Sequence, residues 1–303
     1  MKKNILTLWD LSEDDYLWLI RRTSELKNRR KQGVVESSLA GKTLGLLFEK
    51  PSTRTRISFE AAICQLGGSS IFISMRDTQL SRNEPIADTA RVLSGYLDAI
   101  AIRSYSQDLI EQMAQYSEIP IINALSDLYH PCQILSDIYT VAEHIENFQD
   151  LKYAWIGDGN NMANSWINVS AILGLSLTIA CPKDYSPNPD ILDTARKQGK
   201  GKIHVTTSPI EAVKDANVIN TDVWASMGQE HESDERKEIF VPYQVNKDLL
   251  THAAPNAMIL HCLPAHRGEE ITDDVIEGPH SFVWTQAENK LHMHKAILEM
   301  LIQ

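Results

Sequence analysis

The chain has 303 residues, 43% hydrophobic and 23% charged, which suits one large globular domain or two ordinary ones. Its formal net charge of −11 argues against a general nucleic-acid binder, whose affinity would rest on neutralising phosphates. No apolar stretch approaches the ~20 residues of a membrane span, and no apolar core follows Lys2 and Lys3 as a signal peptide would require.

Ser12 is expected to cap a helix over residues 13–30, with an acidic first turn (Glu13, Asp14, Asp15) and a basic end from Lys27 to Lys31; the helix dipole accounts for both. Leu44 to Phe48 reads as a buried strand, broken by Pro51 and Ser52, which cap the next helix. In that helix Phe59, Ala62, Ile63 and Leu66 fall at helical spacing, and Gly67-Gly68 ends it. A strand over 71–73, a polar loop from Arg76 to Glu84 and a helix from Pro85 to about Leu97 follow. Next come a strand over 99–102 with Arg103 at its carboxyl end, a helix over 106–116, a strand over 120–124, and a loop over 125–130. Pro131 starts a helix running to about Glu146, and residues 147–150 read as a boundary between a first domain, 1–146, and a second, 147–303. The second half restarts with a strand over 152–156, a helix over 164–173 and a strand over 175–180. Further strands are expected at 202–206, 217–222, 257–261 and 281–284. Residues 228–240 are strongly polar and read as a solvated loop or a mobile lid. An amphipathic helix over 286–303 is expected to pack back onto the first domain. Strand alternating with helix predicts an α/β fold of two domains, each a parallel sheet flanked by helices.

Ligands of such sheets sit outside the carboxyl ends of the strands, and the chemistry-bearing residues of the first half fall there. Ser52-Thr53-Arg54-Thr55 places hydroxyls and a guanidinium beside the unpaired N–H groups of a helix start, which suits an anion with several oxygens. Arg103 and His130 follow two further strands of the same half. In the second half, Gly157-Asp158-Gly159 opens a helix after a strand, but the third glycine of a dinucleotide fingerprint is missing. The next strand also ends in Ala180-Cys181-Pro182, without a carboxylate for a ribose. Asn160, Asn161 and Asn164 instead offer amides to a small polar ligand. Asp222, after a strand, is either an N-cap or the partner of an ammonium group. His261-Cys262-Leu263-Pro264-Ala265-His266 offers metal ligands, but His261 and Cys262 as neighbours on one strand would point to opposite faces. Cys262 is thus either a nucleophile or a polarisable group against a ligand amine. Cys64, Cys132, Cys181 and Cys262 contain no Cys-x-x-Cys pair, which fits a reduced, cytoplasmic protein without structural zinc.

Ser52-Thr53-Arg54-Thr55, Gln79, Arg103, His130-Pro131-Cys132-Gln133, Asn161, Asp222 through Gly228 and His261-Cys262-Leu263-Pro264 occur in this order along essentially the whole chain. Together they resemble the aspartate/ornithine carbamoyltransferase family. Ser226-Met227-Gly228 after Asp-x-Trp, with the His-Cys-Leu-Pro run, is similar to its ornithine branch. The resemblance implies transfer of a carbamoyl group from carbamoyl phosphate to the δ-amine of L-ornithine, giving citrulline and phosphate for arginine biosynthesis. It implies that the first domain binds carbamoyl phosphate and the second ornithine, with no cofactor and no metal. It also implies a homotrimer in which Gln79 reaches into a neighbour's site. Carbamoyl-phosphate contacts would fall to Ser52, Thr53, Arg54, Thr55, Gln79, Arg103, His130, Gln133, Cys262, Leu263 and Lys290. Ornithine contacts would fall to Asn161, Asp222, Ser226 and Met227, and catalysis to Arg103, His130, Asp222 and Cys262. Two positions depart from the family pattern: Lys290 stands where arginine is usual after Gln-Ala-Glu-Asn, and Asn83 where glycine is common before Glu84-Pro85. Rival readings are a carbamoyltransferase for another amine, such as putrescine or an acylated ornithine, and a catalytically silent small-molecule sensor.

Overall fold

The computed structural model describes residues 4–225 and 233–302. The chain divides into two compact units, one made of Met1–Tyr139 with Glu288–Gln303, the other of Thr140–Ala287.

In the first unit, β1 (Thr43–Phe48), β2 (Ser69–Ser74), β3 (Ala99–Arg103) and β4 (Ile121–Leu125) form a parallel sheet in the order β2-β1-β3-β4. The helices that accompany these strands along the chain are α1 (Glu13–Lys31), α2 (Arg54–Gln65), α3 (Ile86–Ser94), α4 (Gln107–Tyr116) and α5 (Pro131–Ala142). Ser12 and Asp15 form a capping box at the start of α1. Successive residues of β3 are all buried, Ala99 through Arg103, so its two faces are both covered. Leu47, Ile100, Ile102, Ile110 and Met113 are at the heart of one apolar cluster. Strand β2 is different: it lies at the sheet edge with Ile71 50% and Phe72 38% exposed.

In the second unit the strands are β5 (Lys152–Ile156), β6 (Ser176–Ala180), β7 (Lys202–Thr206), β8 (Val218–Thr221) and β9 (Met258–His261). They form a parallel sheet in the order β7-β6-β5-β8-β9. Its helices are α6 (Asn161–Leu173), α7 (Pro189–Gln198), α8 (Pro209–Val213), α9 (Ser233–Phe240), α10 (Lys247–Leu250) and α11 (Asp273–Ile276). A last helix, α12 (Val283–Leu301), ends the chain. Its residues from Glu288 on belong to the first unit, where Lys27 donates to Asn289 at 2.7 Å and Arg22 pairs with Glu299 at 2.6 Å. Both units are therefore parallel α/β layers, the fold class expected from the alternation.

Several local expectations are corrected. The expected strand over 281–284 is a single bridge, Ile259 to Ser281, after which α12 begins at Val283. Ser52 does not cap α2: its N-cap is Thr53, which already has helical backbone and makes no side-chain capping bond. The polar stretch 228–240 is not one loop, since residues from Ser233 form α9; residues 226–232 lie outside the described residues. The loop before Glu84 contains two 3-10 turns, Met75–Asp77 and Gln79–Arg82. Asn83 closes the second with φ 66°, a left-handed conformation that asparagine tolerates better than most residues.

Candidate active site

The register of the first sheet brings its candidates to one edge. Phe48 pairs with Arg103 and Arg103 with Leu125, so the segments after β1, β3 and β4 leave the same edge side by side. The Glu49 N–H donates to the Arg103 carbonyl at 2.8 Å, and the Glu49 carboxylate accepts from Ser104 Oγ at 2.7 Å and the Tyr105 N–H at 2.9 Å. The Arg103 carbonyl and the two residues after it are thereby tied to Glu49. The loop carrying His130 is fixed by a buried polar network. Ser126 Oγ donates to Gln107 Oε1 at 2.7 Å, Asn123 Nδ2 donates to the same oxygen at 3.0 Å, and the Tyr129 N–H donates to Ser126 Oγ at 3.0 Å.

At the start of α2 the first i→i−4 bond runs from the Ile57 N–H to the Thr53 carbonyl, so the N–H groups of Arg54, Thr55 and Arg56 precede the helical ladder. Ser52 is half-buried, Thr53 and Arg54 are exposed, and Thr55 is buried. Gln79 is exposed. Lys290, on α12, is 5% exposed, and its Nζ donates to Thr55 Oγ1 at 3.1 Å and to Gln133 Oε1 at 2.8 Å. Gln133 Nε2 in turn donates to Asp137 at 2.8 Å, which fixes which end of the amide meets the lysine. The lysine lacks the planar fork of an arginine, but its ammonium ties α2 to α5. One helical turn on, His294 stacks on Phe59 with ring centroids 3.7 Å apart, and its Nδ1 lies 3.0 Å from Ser58 Oγ. Ser58 spends its own proton on the Thr55 carbonyl, so His294 is the donor. Neither His294 nor Ser58 stood out in the sequence, because their roles depend on α12 lying against α2. Burial, with the cations Lys290 and Arg103 adding to it, holds the His130 imidazole well below the usual histidine range, so it is neutral at neutral pH.

In the second unit, Ile156 pairs with Thr221 and Thr221 with His261, which aligns the ends of β5, β8 and β9. The residues that follow meet there. Cys262 Sγ–H donates to Asp222 Oδ1 at 3.1 Å, the Val223 N–H donates to the same oxygen at 2.8 Å, and Asn160 Nδ2 approaches Asp222 Oδ2 at 3.5 Å. Asn160 also caps α6, accepting from the Met162 and Ala163 N–H groups. Burial raises the Asp222 carboxyl above its ordinary value, against the opposing pull of His261 and the thiol bond. Asn161, beside the cap, is half-buried at the first position of α6. Ser226 and Met227 lie outside the described residues.

The expectation that His261 and Cys262 point apart does not hold. Strand β9 ends at His261, Cys262 has left it, and one ligand atom from each of Asp222, His261 and Cys262 lie within 4.8 Å of one another. The imidazole is nevertheless fully committed: its Nδ1 accepts the Leu263 N–H at 2.9 Å, so Nε2 carries the proton given to Glu270 at 3.0 Å. A metal at Nδ1 would have to displace a backbone bond. The Gly157-Asp158-Gly159 turn likewise has a structural cause. A side chain at Gly159 would fall 2.3 Å from the Pro187 nitrogen, so this glycine permits a close backbone approach.

Of the two parallel α/β units, one gathers a guanidinium, a neutral imidazole and a helix start at its strand ends, and the other a carboxylate, a thiol and amides. Residues 3–143 match the carbamoyl-P binding domain of aspartate/ornithine carbamoyltransferase, and residues 149–301 match its Asp/Orn binding domain. The chain belongs to the aspartate/ornithine carbamoyltransferase family. Among its relatives are the ornithine carbamoyltransferases of Desulfotalea psychrophila, 54% identical over 302 residues, and of Geobacter sulfurreducens, 51% identical over 303, each alignment covering 100% of both chains. The solved ornithine carbamoyltransferase of Pyrococcus furiosus superposes with a TM-score of 0.95 at 46% identity, covering 99% of this chain and 97% of that one.

Proposed function

We propose that the chain is an ornithine carbamoyltransferase, which moves the carbamoyl group of carbamoyl phosphate to the δ-amine of L-ornithine and releases citrulline and phosphate. The observation that carries this reading is that one chain holds anion and oxyanion donors at one strand edge of the first unit and Asp222, Cys262 and Asn160 at the strand ends of the second. Residues 1–146 would bind carbamoyl phosphate and residues 147–303 ornithine. Ser52, Thr53, Arg54 and the first N–H groups of α2 hold the phosphate, with Gln79 from a neighbouring subunit. Thr55, Arg103 and the neutral imidazole of His130 polarise the carbamoyl oxygen, while Gln133 and Lys290 keep Thr55 in place. The amine nitrogen attacks the carbamoyl carbon, and negative charge gathers on the carbonyl oxygen, where preformed donors stabilise it. The carbon–oxygen bond to phosphate then breaks, and the departing phosphate takes the proton lost by the amine.

Asp222, Asn161, Ser226 and Met227 orient the ornithine. A nucleophilic Cys262 fits this site poorly, because its proton is shared with a buried carboxylate that would oppose a thiolate beside it. The free amine of ornithine must be neutral to attack although its ordinary pKa is ~10, so its binding site has to desolvate it. The reaction would serve arginine biosynthesis in the cytoplasm by a homotrimer; four free cysteines fit a reducing compartment. The test is to incubate purified protein with carbamoyl phosphate and L-ornithine and to quantify citrulline and phosphate. Equal amounts of both support the reading, and phosphate without citrulline contradicts it.

A further inference from the structure

One guanidinium in the second unit joins segments that carry the proposed acceptor residues. Arg236, on α9, is 5% exposed, and its Nη1 donates to Asp158 Oδ2 at 2.9 Å and to the Trp224 carbonyl at 2.9 Å. Its guanidinium also lies over the Tyr185 ring, 4.7 Å from the centroid. Asp158 stands in the turn after β5, two residues before Asn160, and Trp224 stands two residues after Asp222. The turn after β5 is itself fixed, since Trp155 Nε1 donates to the Asp158 carbonyl at 2.8 Å and the Gly159 N–H donates to the Tyr185 carbonyl at 2.8 Å. Packing of α9 does not require a charge here. Phe240, on the same helix, already sits among Trp224, Tyr185 and Tyr243 at centroid distances of 6.0, 4.9 and 5.9 Å. A buried ion pair is often no more stabilising than apolar residues of similar volume, and burial pushes the Asp158 carboxyl up to about 6 even with Arg236 beside it.

We propose that Arg236 is a positioning residue for the amine acceptor: by bridging Asp158 and the Trp224 carbonyl it sets the separation of Asp222 from Asn160 and Asn161. The inference rests on the carbamoyltransferase reading above. It requires Arg236 and Asp158 to act as a pair, and to act on ornithine rather than on carbamoyl phosphate. A hydrophobic replacement that packs equally well should therefore leave a folded enzyme that binds its acceptor poorly.

The experiment compares the wild type with Arg236→Met, Arg236→Lys, Asp158→Asn and the Arg236→Met/Asp158→Asn double variant, measuring KM for each substrate separately. Arg236→Met and Asp158→Asn should each raise the ornithine KM ~10- to 100-fold, the range for loss of a charged hydrogen bond, with the carbamoyl phosphate KM within ~2-fold. The double variant should be no worse than the worse single one, because both changes break one pair. Arg236→Lys, which keeps the charge, should recover part of the loss. If Arg236→Met does not fold, Asp158→Asn and Arg236→Lys decide alone. Unchanged ornithine KM in the folded variants, an equal rise for both substrates, or multiplicative effects in the double variant would overturn the inference. A wild type that makes no citrulline would instead remove the functional reading itself.

Discussion

Arg103 ends β3 and His130 follows β4, neighbouring strands of one sheet, and their charge states make their proposed separate roles testable. Arg103 supplies permanent positive charge, and losing one oxyanion donor typically lowers turnover ~100- to 1,000-fold. Arg103→Ala should fall in that range in steady-state assays; unaltered turnover would exclude it from the oxyanion site. His130 is held neutral by burial and by its neighbouring cations. Its folded-state pKa lies below the unfolded value of ~6.5, so on acidification the unfolded chain takes up a proton that the folded chain does not. The stability it contributes is present above pH ~6.5 and is lost as pH falls below it. Urea unfolding at pH 7 and pH 5 should show a smaller pH loss for His130→Asn than for the wild type. Asp158 has the opposite sign. Its carboxyl is raised from 3.8 to about 6, so its own contribution to stability is full at low pH and is lost as pH rises through about 6. Over the same window it gains the charge that pairs with Arg236. The groups facing it are Arg236 from α9, Asp222 after β8, and Cys181 and Tyr185 after β6. The ornithine KM of the wild type should therefore fall as pH rises from 5 to 7, and Asp158→Asn should lack that component.

Helix α12 shows how an element at the far end of a chain shapes the opening motif. Its residues Lys290 and His294, one turn apart, grip Thr55 and Ser58 on α2, and the His294 ring lies flat on Phe59. Phe59 is fully buried, so Phe59→Ala removes a ring and leaves a cavity, with an expected loss of ~3–5 kcal/mol in unfolding free energy. A denaturation midpoint unchanged from the wild type would contradict that packing. The strands of both sheets and most of the long helices were legible from apolar runs and helical spacing, because those patterns are local; α7, in a stretch that opens with a proline-rich turn, was not expected. The strand expected at 281–284 was not, since Ser281 makes only one bridge and Val283 already belongs to a helix. Short α8, α10 and α11 carry too few turns to show a period. Residue types at strand ends pointed to Arg103, His130, Asp222 and Cys262. Nothing local could reveal Arg236, because a charged residue in a polar stretch reads as solvated until its helix is seen to bury it against Asp158.

At the scale of the molecule, β2 presents an open edge with apolar side chains beside it. Ile57, Ile71 and Phe72 are 57%, 50% and 38% exposed, and the Arg56 guanidinium covers Phe72 at 3.6 Å. Such a surface is costly to leave in water and suits association of like chains. Ile57→Glu with Ile71→Glu should lower the mass measured by light scattering below that of the wild-type assembly; a variant with unchanged mass would place the contact elsewhere. Among the described residues, no helix is long and apolar enough to cross a membrane. The central claim concerns the acceptor, and initial rates with saturating carbamoyl phosphate against L-ornithine, putrescine, N-acetylornithine and L-lysine test it most directly. The highest kcat/KM should belong to L-ornithine, with citrulline as the product. A higher kcat/KM for putrescine or N-acetylornithine would contradict the account.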